Sequence, residues 1–318
     1  MLGPMRGTLS TKGSVGDKVL RGLALSAALL TIVTLVALGF QVIKGASLSF
    51  STFGLGFITS SDWNPTAGKG EFGAWVLIYG TLVTSLSALV IALPIGVAIG
   101  LYLAELARRS VARVVSPMVE MLAAVPSVVV GFWGLIVLAP IVSKTIEPFL
   151  HDHFGFIPLF GEPQTTGLSL FTASLILSIM ILPIVASISR DLFLTVPREM
   201  KDGAEALGAT HWEVVRGVDL PACAAGIASA ALLALGRALG EAIAVAQVVG
   251  GGQKVVSSLF LPGDTLASRL ATQFPGAVSN LQISSLFYLG VILLVIGIGA
   301  NLAAMWIARR FDYERKAA

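Results

Sequence analysis

Two charged residues stand where a long apolar stretch should carry none. The segment Gly236-Arg237-Ala238-Leu239-Gly240-Glu241-Ala242 interrupts the run 222–249, and Arg237 falls within two residues of its centre. A charge at the middle of a bilayer costs about 2.5–3.5 kcal/mol on insertion scales, so it calls for a partner or a wet cavity. Glu241, four residues on, shares the helical face of Arg237 and can pair with it. A guanidinium offers five donors in a planar fork that suits a tetrahedral oxyanion, and a nearby carboxylate offsets its charge until the anion arrives. The bland alternative is a buried pair that fixes helix packing, which is expensive to keep in a membrane and stabilises little. The expectation is an anion-contacting site on a translocation path.

Other residues are weaker candidates. Ser127, in Ala124-Val125-Pro126-Ser127-Val128, sets a hydroxyl beside a proline kink and could line the same path. Glu120 is expected as an interfacial carboxylate facing arginines. His151-Asp152-His153 has the look of two metal ligands, yet alternating histidines in a loop are more often solvated; His211 beside Trp212 suits a docking surface. Cys223 is the single cysteine, so no disulfide forms within the chain and no thiolate metal cluster is available. No Gly-rich loop ends in Gly-Lys-Ser or Gly-Lys-Thr, and Gly250-Gly251-Gly252-Gln253-Lys254 fails that pattern, so any ATP must be bound by a partner. No nucleophile and base constellation is present, and no basic patch interleaved with aromatics suggests nucleic acid.

The elements that must position these residues follow from composition. Of 318 residues, 55% are hydrophobic and 12% charged, against about 25% charged in a soluble domain. A membrane protein is implied, and a soluble or disordered chain is excluded. Stretches long enough to span a bilayer run approximately 22–43, 75–104, 117–143, 167–189, 222–249 and 284–308. The first follows a basic leader but is longer than the core of a cleavable signal, and is expected as a retained helix. Lys and Arg collect in the N-terminal tail (Arg6, Lys12, Lys18, Arg21), after the second and fourth stretches, and at the C-terminus (Arg309, Arg310, Arg315, Lys316). The alternate loops hold only Lys44, Lys69, Lys144, Lys254 and Arg269. That bias puts both termini in the cytoplasm. Pro94, Pro126 and Pro183 are expected to kink the second, third and fourth helices, and Gly96 with Gly100 and Gly236 with Gly240 allow close helix approach. The outer loop from about 44 to 74, with Phe50, Phe53, Phe57 and Trp63, is expected either in the membrane interface or against a partner.

Between the fourth and fifth stretches lies a polar segment, about 191–221. Pro197 suits a first helical turn, the acidic and alanine positions favour helix, and Gly208 stops it. Its spacing is similar to the EAA loop of ABC importer permeases: Asp202, Gly203 and Ala204 take the opening triplet, Gly208 the glycine, and Val218, Leu220 and Pro221 the ending. It departs at Asp202 and Gly203, where the family prefers Glu and Ala; Glu205 stands nearby as a longer carboxylate.

Within that superfamily the chain resembles the PstC-type permease subunits of phosphate-specific importers. Six segments in order carry the resemblance: Ser61-Asp62-Trp63-Asn64-Pro65, Ile78-Tyr79-Gly80-Thr81-Leu82, Val125-Pro126-Ser127-Val128-Val129, Leu182-Pro183-Ile184-Val185 with Ser189-Arg190, Ala206-Leu207-Gly208-Ala209-Thr210 and Gly236 to Glu241. The resemblance implies an all-α integral membrane protein of six transmembrane helices with the type I ABC importer permease fold, in the bacterial cell membrane. Its parts would be a cytoplasmic tail 1–21, a permease domain 22–310 and a tail 311–318. It further implies half of a path for inorganic phosphate, with Arg237, Glu241 and Ser127 on that path and Asp202, Gly203, Ala204, Glu205, Gly208, Leu220 and Pro221 coupling to the motor. The implied partners are a homologous PstA-type permease, two copies of a PstB-type ATPase that binds ATP and Mg, and a PstS-type extracytoplasmic phosphate-binding protein. This chain itself is then no enzyme and carries no cofactor. The rival readings are a permease for sulfate or molybdate, an ATP-independent secondary transporter or channel, and a membrane enzyme.

Overall fold

The computed structural model describes residues 15–65 and 70–317; Arg6, Lys12 and Lys69 lie outside the described residues. Among the described residues, six helical runs are long and apolar enough to cross a membrane: Lys18–Gly45, Trp75–Leu106, Ser127–Phe154, Leu170–Thr195, His211–Gly240 and Asn280–Ala303. The first comes from helix α1 (Val15–Gly45), followed by short α2 (Ser47–Phe53) and α3 (Gly56–Thr59) and by an antiparallel hairpin of β1 (Trp63–Asn64) and β2 (Glu71–Phe72). Helix α4 (Trp75–Leu101) ends in a π turn, Tyr102–Leu106. After α5 (Arg109–Leu122), the third run is assembled from α6 (Ser127–Trp133), α7 (Ala139–Ile141) and α8 (Glu147–Phe154), joined by two further π turns. The chain continues as α9 (Leu170–Thr195), α10 (Arg198–Ala206), α11 (His211–Val214), a π turn at Val215–Asp219, α12 (Leu220–Gly240), α13 (Ile243–Val248), α14 (Leu266–Gln273) and α15 (Asn280–Ala317).

Several boundaries differ from those read off hydropathy, each for a local reason. The third run starts at Ser127 rather than near 117, because Pro126 has no N–H to donate and disfavours helical backbone at Val125. Pro126 is therefore the cap of α6 and no internal kink, whereas Pro94 and Pro183 do sit inside α4 and α9. The same run continues to Phe154, so Lys144 and His151-Asp152-His153 are helical and not in a loop. The fifth run starts at His211, eleven residues early, since Thr210 and Glu213 form a reciprocal capping box. It breaks at Glu241, whose backbone is extended. The expected tails 1–21 and 311–318 are helical from Val15 and as far as Ala317.

Helices α4 and α9 form the most extensive pairing, as the expected Gly96 and Gly100 allow. A Cβ at Gly96 would lie 2.8 Å from Val185 Cβ, and one at Gly100 2.8 Å from Arg190 N, so only glycine lets the two backbones approach. Gly236 and Gly240 behave differently: nothing lies within 4 Å of a Cβ built on either. The main core joins α4, α9, α12 and α13 through Ala88, Ile176, Ala234 and Val245. A second core closes one end of the bundle, here called the cap, around Phe57, Trp63, Phe72 and Tyr288. The opposite end, carrying α10 and α11, is called the arm. Phe57 and Trp63 are thus core residues of the cap, while Phe50 remains half exposed. No residue in the apolar stretch of α1 is buried; it touches α15 near its end, where Val42 meets Gly290.

Candidate functional site

Arg237 lies one turn before the end of α12, exposed, and none of the ion pairs or hydrogen bonds among the described residues includes it. Two hollows meet at its side chain. One, of about 310 Å³, is walled by Leu122, Val125, Val129, Val130 and Trp133 on one side and by Ile179 and Met180 of α9 on the other. Every wall residue except Arg237 is apolar, so the groove concentrates one positive charge in a surface with no competing polar side chain. The other, of about 850 Å³, opens between α9, α12 and α15, where Ser229, Gly236 and Asn301 join Arg237.

The expected Arg237–Glu241 pair does not form. The i,i+4 argument needs an unbroken helix, and α12 ends at Gly240; Glu241 instead accepts a hydrogen bond from the backbone N–H of Ala244 at 3.2 Å and so caps α13. Glu241 lines neither hollow. Ser127 is half-buried in the first turn of α6; its neighbours Val125 and Val129 line the Arg237 groove, and Ser127 itself does not. That first turn starts a helical run beside the groove, where free backbone N–H groups and the helix dipole favour an anion.

The arm takes the form its sequence suggests, a short helix from Pro197 to a stop at Gly208, whose φ of +90° is the left-handed backbone that glycine adopts without strain. Asp202, Gly203 and Glu205 are exposed and Ala204 half-buried. Asp202 and Glu205 share a hollow of about 350 Å³ with Glu105, Arg198, Lys201 and His211. His211 Nδ1 is 3.9 Å from Glu205 Oε1. Leu220 and Pro221 are not in this hollow: they open α12, with Leu220 packed beside Phe193 and Val196. What the sequence did not single out is Lys201, whose Nζ lies 2.5 Å from Glu105 Oε1 and 3.0 Å from Asp219 Oδ1. Burial alone would lower the pKa of this ammonium; hydrogen bonds and charge from Glu105 and Asp219 outweigh it and raise the pKa above the ordinary lysine value. Leu207 and Trp212 are also exposed on the arm, at 91% and 63%.

Two further polar anchors escaped sequence reading. Glu147, fully buried in α8, accepts from the Gln164 backbone N–H at 2.9 Å and so ties down the loop after the third run. In the cap, Arg269 Nε meets Asp264 Oδ2 at 2.6 Å, and its guanidinium lies 5.4 Å from the Trp63 ring centroid; Trp63 donates its indole N–H to Gln273 Oε1 at 2.7 Å. Glu120 pairs with Arg190 Nη1 at 3.1 Å, a carboxylate facing an arginine as expected, though one at the end of α9. His151 and His153 are spoken for by backbone carbonyls, those of Phe160 and Phe149. The signal for such pairs was weak because the partners lie far apart in sequence, 96 residues for Lys201 with Glu105.

Over residues 96–313 the sequence matches the family of binding-protein-dependent transport system inner membrane components. It is 41% identical over 300 residues to the phosphate transport system permease protein PstC of Mesorhizobium japonicum, covering 93% of this chain and 91% of that one. The protein of the same name from Pasteurella multocida is 43% identical over 274 residues, covering 85% and 84%. Among solved structures, a bacterial alginate ABC transporter in complex with a periplasmic protein superposes with a TM-score of 0.62 at 17% identity, over 93% of this chain and 97% of that one. The inward-facing MetNI methionine ABC transporter gives 0.51 at 21% identity, over 75% and 94%. At such identities the likeness to the solved structures is one of fold.

Proposed function

The chain belongs to the family of binding-protein-dependent transport system inner membrane components, and from that premise we propose that it is the permease subunit of an ATP-driven phosphate importer. It is a multi-pass protein of the bacterial inner membrane with the fold of type I ABC importer permeases. One observation carries the chemistry: Arg237 stands without a charged partner in an otherwise apolar groove at the end of α12. A guanidinium so placed keeps its donors for a passing oxyanion. Phosphate meets Arg237 transiently, near the first turn of the run that starts at Ser127. Glu241 fixes the helix break beside Arg237 and so holds that end of α12 in place. Because the described lining of the groove supplies a single cation, the remaining donors come from a second permease half.

The arm faces the cytoplasm, in keeping with the concentration of Lys and Arg at that end, and both termini lie on the same side. Asp202, Gly203, Ala204, Glu205 and Gly208, with Leu220 and Pro221 at the base of α12, form the surface that takes up motion from a separate ATPase. Two copies of that ATPase bind ATP and Mg, so this chain needs no cofactor, and an extracytoplasmic phosphate-binding protein delivers cargo at the cap. The family description, which names a binding protein, and the relatives' name, which names a phosphate transport system, support this set of partners.

The test is labelled-phosphate uptake into vesicles holding this chain with its partner permease and ATPase, supplied with the binding protein, with and without ATP. ATP-dependent uptake untouched by excess sulfate is expected. Competition by sulfate would widen the cargo to tetrahedral oxyanions, and uptake without ATP would overturn the motor. Arg237→Gln should lower uptake by about 10²-fold or more, the loss of a charge-assisted contact made along the path, with assembly intact; unimpaired uptake sinks the role of Arg237.

A further inference from the structure

We propose that Lys201 is the pin of the arm, a positioning residue that passes displacement of α10 to the second and fifth membrane runs together. The inference rests on the importer reading and adds a residue to it. Helix α10 buries no residue, so apolar packing does not hold it to the bundle. Lys201 is the side chain that reaches the bundle by charge, through Glu105 and Asp219. Glu105 lies in the π turn that ends the second run, and Asp219 in the π turn that leads into α12.

The two contacts are unequal. Asp219 is 1% exposed, and neither of its carboxylate oxygens receives a well-aligned hydrogen bond, so the ammonium is what offsets a buried charge. Separating them leaves that charge uncompensated, which makes the link stiff where an exposed pair would be slack. The His211–Glu205 contact on the same arm is long and exposed, and cannot do the same. A pull on α10 therefore draws Asp219 and Glu105 with it. From Asp219 to Arg237 the helix is continuous for 18 residues, a rod of about 27 Å at 1.5 Å per residue. The pin thus connects the motor surface to the groove by one side chain and one rigid helix.

The complete transporter in liposomes, with its partner permease, ATPase and binding protein, gives the measurement: phosphate imported per ATP hydrolysed. Lys201→Arg should preserve the ratio. The double variant Lys201→Met with Asp219→Leu removes the pin without stranding a buried charge, and should lower the ratio about tenfold while hydrolysis stays nearly unchanged. Glu105→Gln leaves Asp219 paired and should lower it by a smaller factor. An unchanged ratio in both, or uptake and hydrolysis falling in proportion, would reduce Lys201 to a structural clip and overturn the proposal. Should the double variant fail to assemble, Glu105→Gln decides alone. Spin labels at Glu199→Cys and Ala107→Cys read the pin without reference to cargo. Their separation should stay constant on adding ATP to the otherwise native chain and change in the double variant; a change with Lys201 in place overturns the pin. A native complex that imports no phosphate defeats the importer reading instead, and the label distances still judge the pin.

Discussion

The cap and the arm are both polar-bearing ends of one bundle, yet they are held in opposite ways. In the cap, Phe57 is fully buried and stacks on Tyr288 with ring centroids 4.4 Å apart, Trp63 packs edge-on to Phe72, and Arg269 is clasped by Asp264 beneath the indole. In the arm, a helix with no buried residue stands on the contacts of a single lysine. Packed cores resist deformation, whereas segments with few buried contacts open at low free energy. The comparison teaches where motion can enter: the cap is a lid on the fold, and the arm is free to be moved by whatever grips it.

Truncation at each end sharpens that contrast. Phe57→Ala should cost about 3–5 kcal/mol, the range for emptying a buried aromatic site, measured as a lowered unfolding transition in detergent. A loss below about 1 kcal/mol would mean that the cap is as loosely packed as the arm. Next in size is a pH effect confined to the arm. Because the folded pKa of Lys201 is raised, its contribution is complete below the unfolded value of about 10.4 and is lost as pH rises through the folded value above it. Proteolytic nicking of the 198–210 segment should therefore accelerate at strongly alkaline pH. In Lys201→Arg, whose guanidinium stays charged, it should not; parallel acceleration in both chains would remove the lysine from the account. Smallest of all, Leu207→Ala should change stability by no more than about 0.5 kcal/mol, since a side chain 91% exposed has little packing to lose. A larger loss would show that the arm is packed after all.

Much of this was legible in the sequence, and the limits of what was legible have physical causes. Hydropathy located six membrane runs because each must carry about twenty apolar residues whatever its neighbours do. Pro197 and Gly208 marked the arm helix because their effects are local to the backbone. Breaks inside apolar runs were invisible to the same measure: Ala123 to Pro126 interrupt helix without interrupting hydrophobicity, and the charge of Glu241 does not by itself reveal that the helix ends there. For that reason the charge of Arg237 was legible but its expected partner was not, because the helix does not continue to Glu241. Lys201, Glu147 and Arg269 looked like ordinary loop or surface charges, since their partners are brought to them only by the packing of separate helices.

The contrast between the glycine pairs reaches beyond packing. Gly96 and Gly100 are pressed against α9 and have no room to change, whereas Gly236 and Gly240 face open space, and Gly236 borders the hollow at Arg237. Scaffold and hollow are therefore separable under mutation. Small side chains introduced at Gly236 narrow that hollow without disturbing the close α4–α9 pair, so its width is free to change while the architecture around it stays fixed.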